Sequence, residues 1–143
     1  METDIYTYSH SIKTRASKTS IWALWSNPSS WSRWDPALEE VKLDGPFEPG
    51  TSGTMSVKNQ GTLTFTLTDV RPFESFSDES EIPGALIRFS HHIQTDGSTQ
   101  IITHSVEIDG PRDVTQAIGE KISQDIPETM NRLTKLAEQE SSK

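Results

Sequence analysis

Across residues 4–12 apolar and polar side chains alternate, with Tyr6, Tyr8, His10 and Ile12 on one face and Ile5, Thr7, Ser9 and Ser11 on the other; this predicts a first β-strand. Behind Ser17, a residue suited to cap a helix, Ile21, Leu24 and Trp25 recur at helical spacing until Asn27-Pro28 stops them. Trp31 and Trp34 stand three apart, so a second brief helical turn is expected before Asp35-Pro36 ends it. The pattern then changes to short β-branched and aromatic runs broken by Gly, Pro and Asp, which predict strands near 39–43, 51–58, 62–71, 74–81, 85–94 and 99–109. From Arg112 onward Val114, Ile118, Ile122, Ile126, Met130, Leu133 and Ala137 repeat every three or four residues, the signature of one long amphipathic helix. Pro127 predicts a bend near 124–126, Gly119 weakens the helix, and the polar tail 138–143 is expected to fray. The fold class is therefore α+β: one strand, two short helices, six more antiparallel strands and a closing helix that can bury the sheet's apolar face only by lying across it.

Two hairpins fix which side chains share that face. Pairing Thr95 with Ser98 across Asp96-Gly97 sets Ile93, His91, Phe89 and Ile87 opposite Gln100, Ile102, His104 and Val106. Across Asn59-Gln60-Gly61 the same reasoning sets Val57 opposite Leu63 and Met55 opposite Phe65. Inward positions are then Tyr6, Tyr8, His10, Met55, Val57, Leu63, Phe65, Leu67, Ile87, Phe89, His91, Ile102, His104 and Val106. Arg88, Ser90, His92, Thr103, Ser105 and Glu107 face solvent. In this register His91 and His104 are diagonal neighbours, about 7–8 Å apart.

Composition narrows the function classes. The 143 residues suit one domain, with a core spanning about 4–138, and 13 basic against 21 acidic residues give a net charge of −8. With no Lys/Arg cluster longer than a pair, nucleic acid and anionic membranes are poor partners. The absence of cysteine removes disulfides, thiolate metal sites and thiol nucleophiles, and fits a reducing cytosol. The acidic start lacks the apolar core of a signal sequence, and no run approaches the ~20 apolar residues of a membrane span, so a cytoplasmic protein without membrane insertion is expected. No phosphate-binding glycine loop, nucleophile elbow, His-Glu-x-x-His or calcium loop occurs.

All four tryptophans fall between Trp22 and Trp34, so a packed corner or a ligand mouth is built there. Trp22 and Trp25 read mainly as packing, Trp31 and Trp34 keep the functional option, and of the four Trp34 is the expected ligand contact. The order of elements, Ile12-x-x-x-Ala16-x-x-x-x-Ile21-Trp22, Trp31-x-x-Trp34-Asp35-Pro36, Leu43-Asp44-Gly45-Pro46 with Gly50-Thr51, and Gly110-Pro111 before the last helix resemble the START-like (SRPBCC) helix-grip superfamily, in its polyketide cyclase/dehydrase-like branch. The resemblance implies a strongly bent sheet gripping the C-terminal helix around a deep apolar cavity, with the first strand beside the last and no cofactor. It implies a small hydrophobic ligand, lipid-, polyketide- or aromatic-like. On the residues above, candidate ligand contacts are Tyr8, His10, Trp34, Met55, Phe65, Leu67, Phe89, His91, Ile102, His104, Ile122, Ile126 and Met130. His10, His91 and His104 are candidates for proton transfer, for ligand contact, or simply for satisfying a neighbour's hydrogen bond, and no metal site is expected from diagonal strand positions. Asp35 is either a turn former or a general base at the mouth. Three readings follow: a ligand carrier, a cyclase/dehydratase-type enzyme that orders its substrate by shape and moves protons through His or Tyr, and a co-chaperone-like interaction module with a filled cavity. A cavity above ~300 Å³ favours the first two.

Overall fold

Strict alternation at the N-terminus gives β1 (Thr3–Thr14), and Ser17 ends the extended run by accepting from Ser20 N to cap α1 (Lys18–Trp25). A 3-10 turn (Pro28–Ser30) leads into α2 (Trp31–Trp34). Six strands follow, β2 (Leu38–Leu43), β3 (Ser52–Val57), β4 (Gly61–Arg71), β5 (Ser75–Ile82), β6 (Ala85–Asp96) and β7 (Thr99–Pro111), before the terminal helix α3 (Arg112–Ser141). The computed structural model describes residues 3–59 and 61–141. The strands form one antiparallel sheet of order β1-β7-β6-β5-β4-β3-β2, so the first strand lies beside the last. The meander, the capped first helix and the α+β helix-grip architecture are as the sequence predicts.

Two registers are corrected. Between β6 and β7 the loop is Gly97-Ser98, with Asp96 paired to Thr99, and only Gly97 takes a positive φ (63°). A two-residue turn with glycine first displaces the expected Asp-Gly turn by one residue, and every cross-strand partner moves by two. His91 therefore lies directly opposite His104, and Phe89 opposite Val106. Between β3 and β4 the loop closes at Val57↔Gly61, which sets Met55 opposite Leu63 and Phe65 opposite Gly53. Gly53 explains that choice: a Cβ there would stand 2.8 Å from Phe65 Cζ, so the ring covers a position that only glycine leaves open. A slip of two keeps each side chain on its face, so the inward set survives while its partners change.

Helix α3 covers the sheet in two ways. Its second half buries Ile126, Met130, Leu133 and Ala137, in line with the expected stripe. Its first half buries Thr115 and sets Gly119 against Tyr6 of β1, while Val114 and Ile118 are only half-buried. Gly119 is no weak point there, because a Cβ would fall 2.3 Å from the Tyr6 ring; the glycine is what lets helix and strand approach. The expected fraying after residue 138 is also corrected up to Ser141. Thr14 Oγ1 donates to Glu138 Oε2 at 2.6 Å, and Ser17 N donates to Ser141 Oγ at 2.9 Å, tying the helix end to the β1–α1 corner. Ser142 and Lys143, the last of that tail, lie outside the described residues. No helix among the described residues is long and apolar enough to cross a membrane.

Candidate functional site

Close contact of α3 with β1 at one side leaves space further along. Between the middle of α3, the α2–β2 corner and strands β3–β7 lies a cavity of about 210 Å³. Its apolar wall includes Trp31, Met55, Val57, Leu63, Phe89 and Ile122. Its polar groups come from Trp34, Asp35, Asp78, Ser80, His91, His104, Asp125 and Thr129, and no lysine or arginine lines it among the described residues.

The aromatic wall is held by Phe76, fully buried on β5. Its ring stacks on His91 at 3.9 Å and 5°, lies 5.8 Å from Trp31 at 25°, and meets the edges of Trp25 and Phe47 at 5.5 and 5.2 Å. Trp31 is fixed further by donating Nε1–H to the Trp25 carbonyl at 3.0 Å. Trp22 and Trp25 do not line the cavity, whereas Trp31 joins Trp34 on its wall.

Direct pairing brings the histidines into one row, His10 opposite His104 and His104 opposite His91. The His91 and His104 rings meet at 4.6 Å in a T-shaped contact, closer than the diagonal spacing expected from the sequence. Burial holds His91 down to about 4, against a weaker upward pull from its contact with the Phe76 carbonyl. His104 lies well below the ordinary histidine value through burial and the neighbouring His91 and His10. Both rings are neutral at physiological pH. His91 Nδ1 lies 3.3 Å from Phe76 O, so it carries the proton there and leaves Nε2 as an acceptor. Among the described residues no three His, Cys, Asp or Glu side chains converge as a metal would require.

Asp78 is the site's main surprise. It sits on β5 between Leu67 of β4 and Phe89 of β6, is 2% exposed, and its Oδ1 has no hydrogen-bond partner among the described residues. Burial, with a smaller contribution from the Glu79 charge, pushes its carboxyl up to about 7. Trp34 Nε1 and His104 Nε2 are likewise buried and unpartnered. Asp35 forms the expected turn, accepting from Ala37 N at 3.0 Å, yet it also faces the cavity, and burial raises its pKa with help from Asp125. Asp78 and Ser80 were legible in principle: with Phe76 inward, alternation along β5 carries both to the same face.

Of the sequence-derived contacts, Trp34, Met55, Phe89, His91, His104, Ile122 and Ile126 line the cavity. Tyr8, His10, Phe65, Leu67, Ile102 and Met130 do not, which corrects the view that the whole inward face borders it. Phe65, Leu67, Ile102 and Met130 are at most 1% exposed and form solid core. Tyr8 and His10 belong to β1, the strand on which α3 packs. Tyr6 is spent on the helix, its hydroxyl donating to Ser123 Oγ at 3.1 Å. Phe89 is half-buried beside open space, so Phe89→Ala is expected to cost only ~1–2 kcal/mol in a urea unfolding curve, below the ~3–5 kcal/mol of a close-packed ring.

Among curated proteins none matches the chain. Among solved structures, the Zhui aromatase/cyclase from Streptomyces sp. R1128 superposes with a TM-score of 0.79 at 13% identity, over 94% of each chain. Norcoclaurine synthase from Thalictrum flavum, in complex with dopamine and hydroxybenzaldehyde, gives 0.75 at 16% identity, over 99% of this chain and 91% of that one. Identities this low establish the shared fold alone. The family model described as polyketide cyclase / dehydrase and lipid transport matches residues 6–138, nearly the whole helix-grip unit with the walls of its cavity, and the chain is a member of that family.

Proposed function

We propose that the chain binds one small, largely apolar molecule in the cavity between α3 and the sheet. The carrying observation is the coexistence of apolar walls with buried polar atoms that lack partners among the described residues: of four such atoms three, Trp34 Nε1, Asp78 Oδ1 and His104 Nε2, belong to lining residues, and only Trp25 Nε1 lies off the cavity. Each such atom costs ~1–3 kcal/mol while unpaired, and a ligand with matching polar groups offsets that cost. At about 210 Å³ the space is smaller than the ~300 Å³ at the lower end of drug-sized sites, but a ~150 Å³ cavity holds benzene, so the occupant is of single-ring size with a short side chain. The family description and the aromatase/cyclase and norcoclaurine synthase folds support a hydrophobic ligand of this kind.

Titration with 3-phenylpropan-1-ol tests this reading. Saturable quenching of tryptophan fluorescence and a rise in Tm are expected, and Ile122→Trp, which fills the space, abolishes both. No saturable change with the unaltered protein, from this alcohol or from an amine or carboxylate of the same shape, would sink the proposal.

A second reading, turnover of the bound molecule in the manner of a cyclase or dehydratase, is favoured by Asp78. A carboxyl that exchanges its proton near pH 7, on a residue lining a cavity that the neutral His104 also lines, has the properties of a general acid and base.

A further inference from the structure

Building on the reading of the cavity as a site for a small apolar molecule, we infer that its occupant is a cation: an arylalkyl or alkyl amine in its ammonium form, with its nitrogen against the Asp78 carboxylate. Three carboxylates border the space, Asp78 inside and Asp35 and Asp125 where the α2–β2 corner meets α3, and no basic side chain among the described residues lines it. Asp78 Oδ1 is buried without a donor among the described residues, and its cross-strand partners Leu67 and Phe89 offer none from their side chains. The two histidines beside it do not serve as counter-charges, since burial keeps both neutral. An ammonium supplies what is missing, N–H donors for the carboxylate, and its aryl or alkyl part meets the apolar wall of Trp34, Met55 and Phe89. A carboxylate ligand would instead meet three like charges, and a neutral one would leave Asp78 protonated or unpaired.

The pH dependence follows. The other titratable groups around Asp78 are His91 from β6, His104 from β7, Asp35 after α2, Asp125 from α3, and Glu79 on the outer face, where it is held by Arg88. None is a free cation. An alkyl amine stays protonated to about pH 10, so its binding tracks ionisation of the cavity's raised carboxyls, Asp78 with Asp35 beside the rim, and strengthens as pH rises through 7.

Three probes of one shape decide the matter: 3-phenylpropylamine, 3-phenylpropan-1-ol and 3-phenylpropanoate, titrated calorimetrically into the intact chain. At pH 8 the amine is expected to bind at least about tenfold tighter than the alcohol, and the propanoate weakest. Between pH 8 and pH 6 the amine loses about tenfold while the alcohol does not weaken. Asp78→Asn brings amine and alcohol within about threefold of each other and flattens the slope. An alcohol that binds as tightly as the amine at pH 8 overturns the inference and leaves the cavity reading standing. An amine preference that survives in Asp78→Asn removes Asp78 from it. Failure of all three probes removes the cavity reading itself.

Discussion

Replacing Phe76 with alanine is expected to lower the free energy of unfolding by ~3–5 kcal/mol, a large share of the ~5–15 kcal/mol that holds a domain of this size together. The ring is fully buried and touches Trp25, Trp31, Phe47 and His91, so its removal empties the centre of an aromatic cluster drawn from four separate segments. Neighbours that large in fixed rotamers relax only partly into the space, and the cavity term adds to the lost transfer free energy. Binding falls as well, because Trp31 and His91 reach the ligand cavity from positions set by this ring. Urea unfolding followed by far-ultraviolet circular dichroism reads the first effect, and the phenylpropanol titration reads the second. A loss under about 1.5 kcal/mol would mean that the cluster does not depend on its central ring.

The faces of the sheet were readable from the sequence because a period of two fixes them, whatever the partner strand. The partners were not readable in the same way. Asp96-Gly97 and Gly97-Ser98 are both acceptable turns, and both keep His91 and His104 inward. Only the second places the two rings in contact. Likewise nothing in the apolar pattern warns that Phe65 lies over Gly53, since a glycine adds nothing to a hydrophobic count. The same blindness affects α3, where Gly119 makes the close contact with β1 at Tyr6, and Thr115 is buried where the larger Val114 and Ile118 are only half-buried. Depth is the other missing quantity. Phe65, Leu67, Ile102 and Met130 point inward as firmly as Phe89 does, and whether open space or a packed neighbour stands before each is a tertiary property. Trp34, expected from the sequence as a ligand contact, lies on the cavity wall at the end of the short helix between α1 and β2.

Asp78→Asn is expected to stabilise the protein, by roughly 3–4 kcal/mol at pH 8, and to leave its stability nearly unchanged at pH 4. A native carboxyl at about 7 against an ordinary 3.8 means that the folded chain holds a proton the unfolded chain releases across that interval. Stability conferred on the protonated form is therefore lost as pH rises from about 4 to about 7, and above 7 the wild type carries a buried, unpaired charge. His91 works in the opposite sense. Its native value of about 4 against 6.5 means that the folded state holds fewer protons, so its contribution is complete above 6.5 and declines as pH falls towards 4. In the wild type the two slopes offset each other over most of that window. Asparagine has the shape of the neutral acid but cannot ionise, so the variant should unmask the acid sensitivity of the histidine row while gaining stability at alkaline pH. Chemical denaturation midpoints at half-unit steps between pH 4 and pH 8 separate the two curves. Coincident curves at pH 8 would show that the carboxylate already has a partner. A divergence of the expected size would show that the chain keeps, on the wall of its cavity, a charge that its own fold opposes, and residues retained against stability are those whose partner arrives from outside.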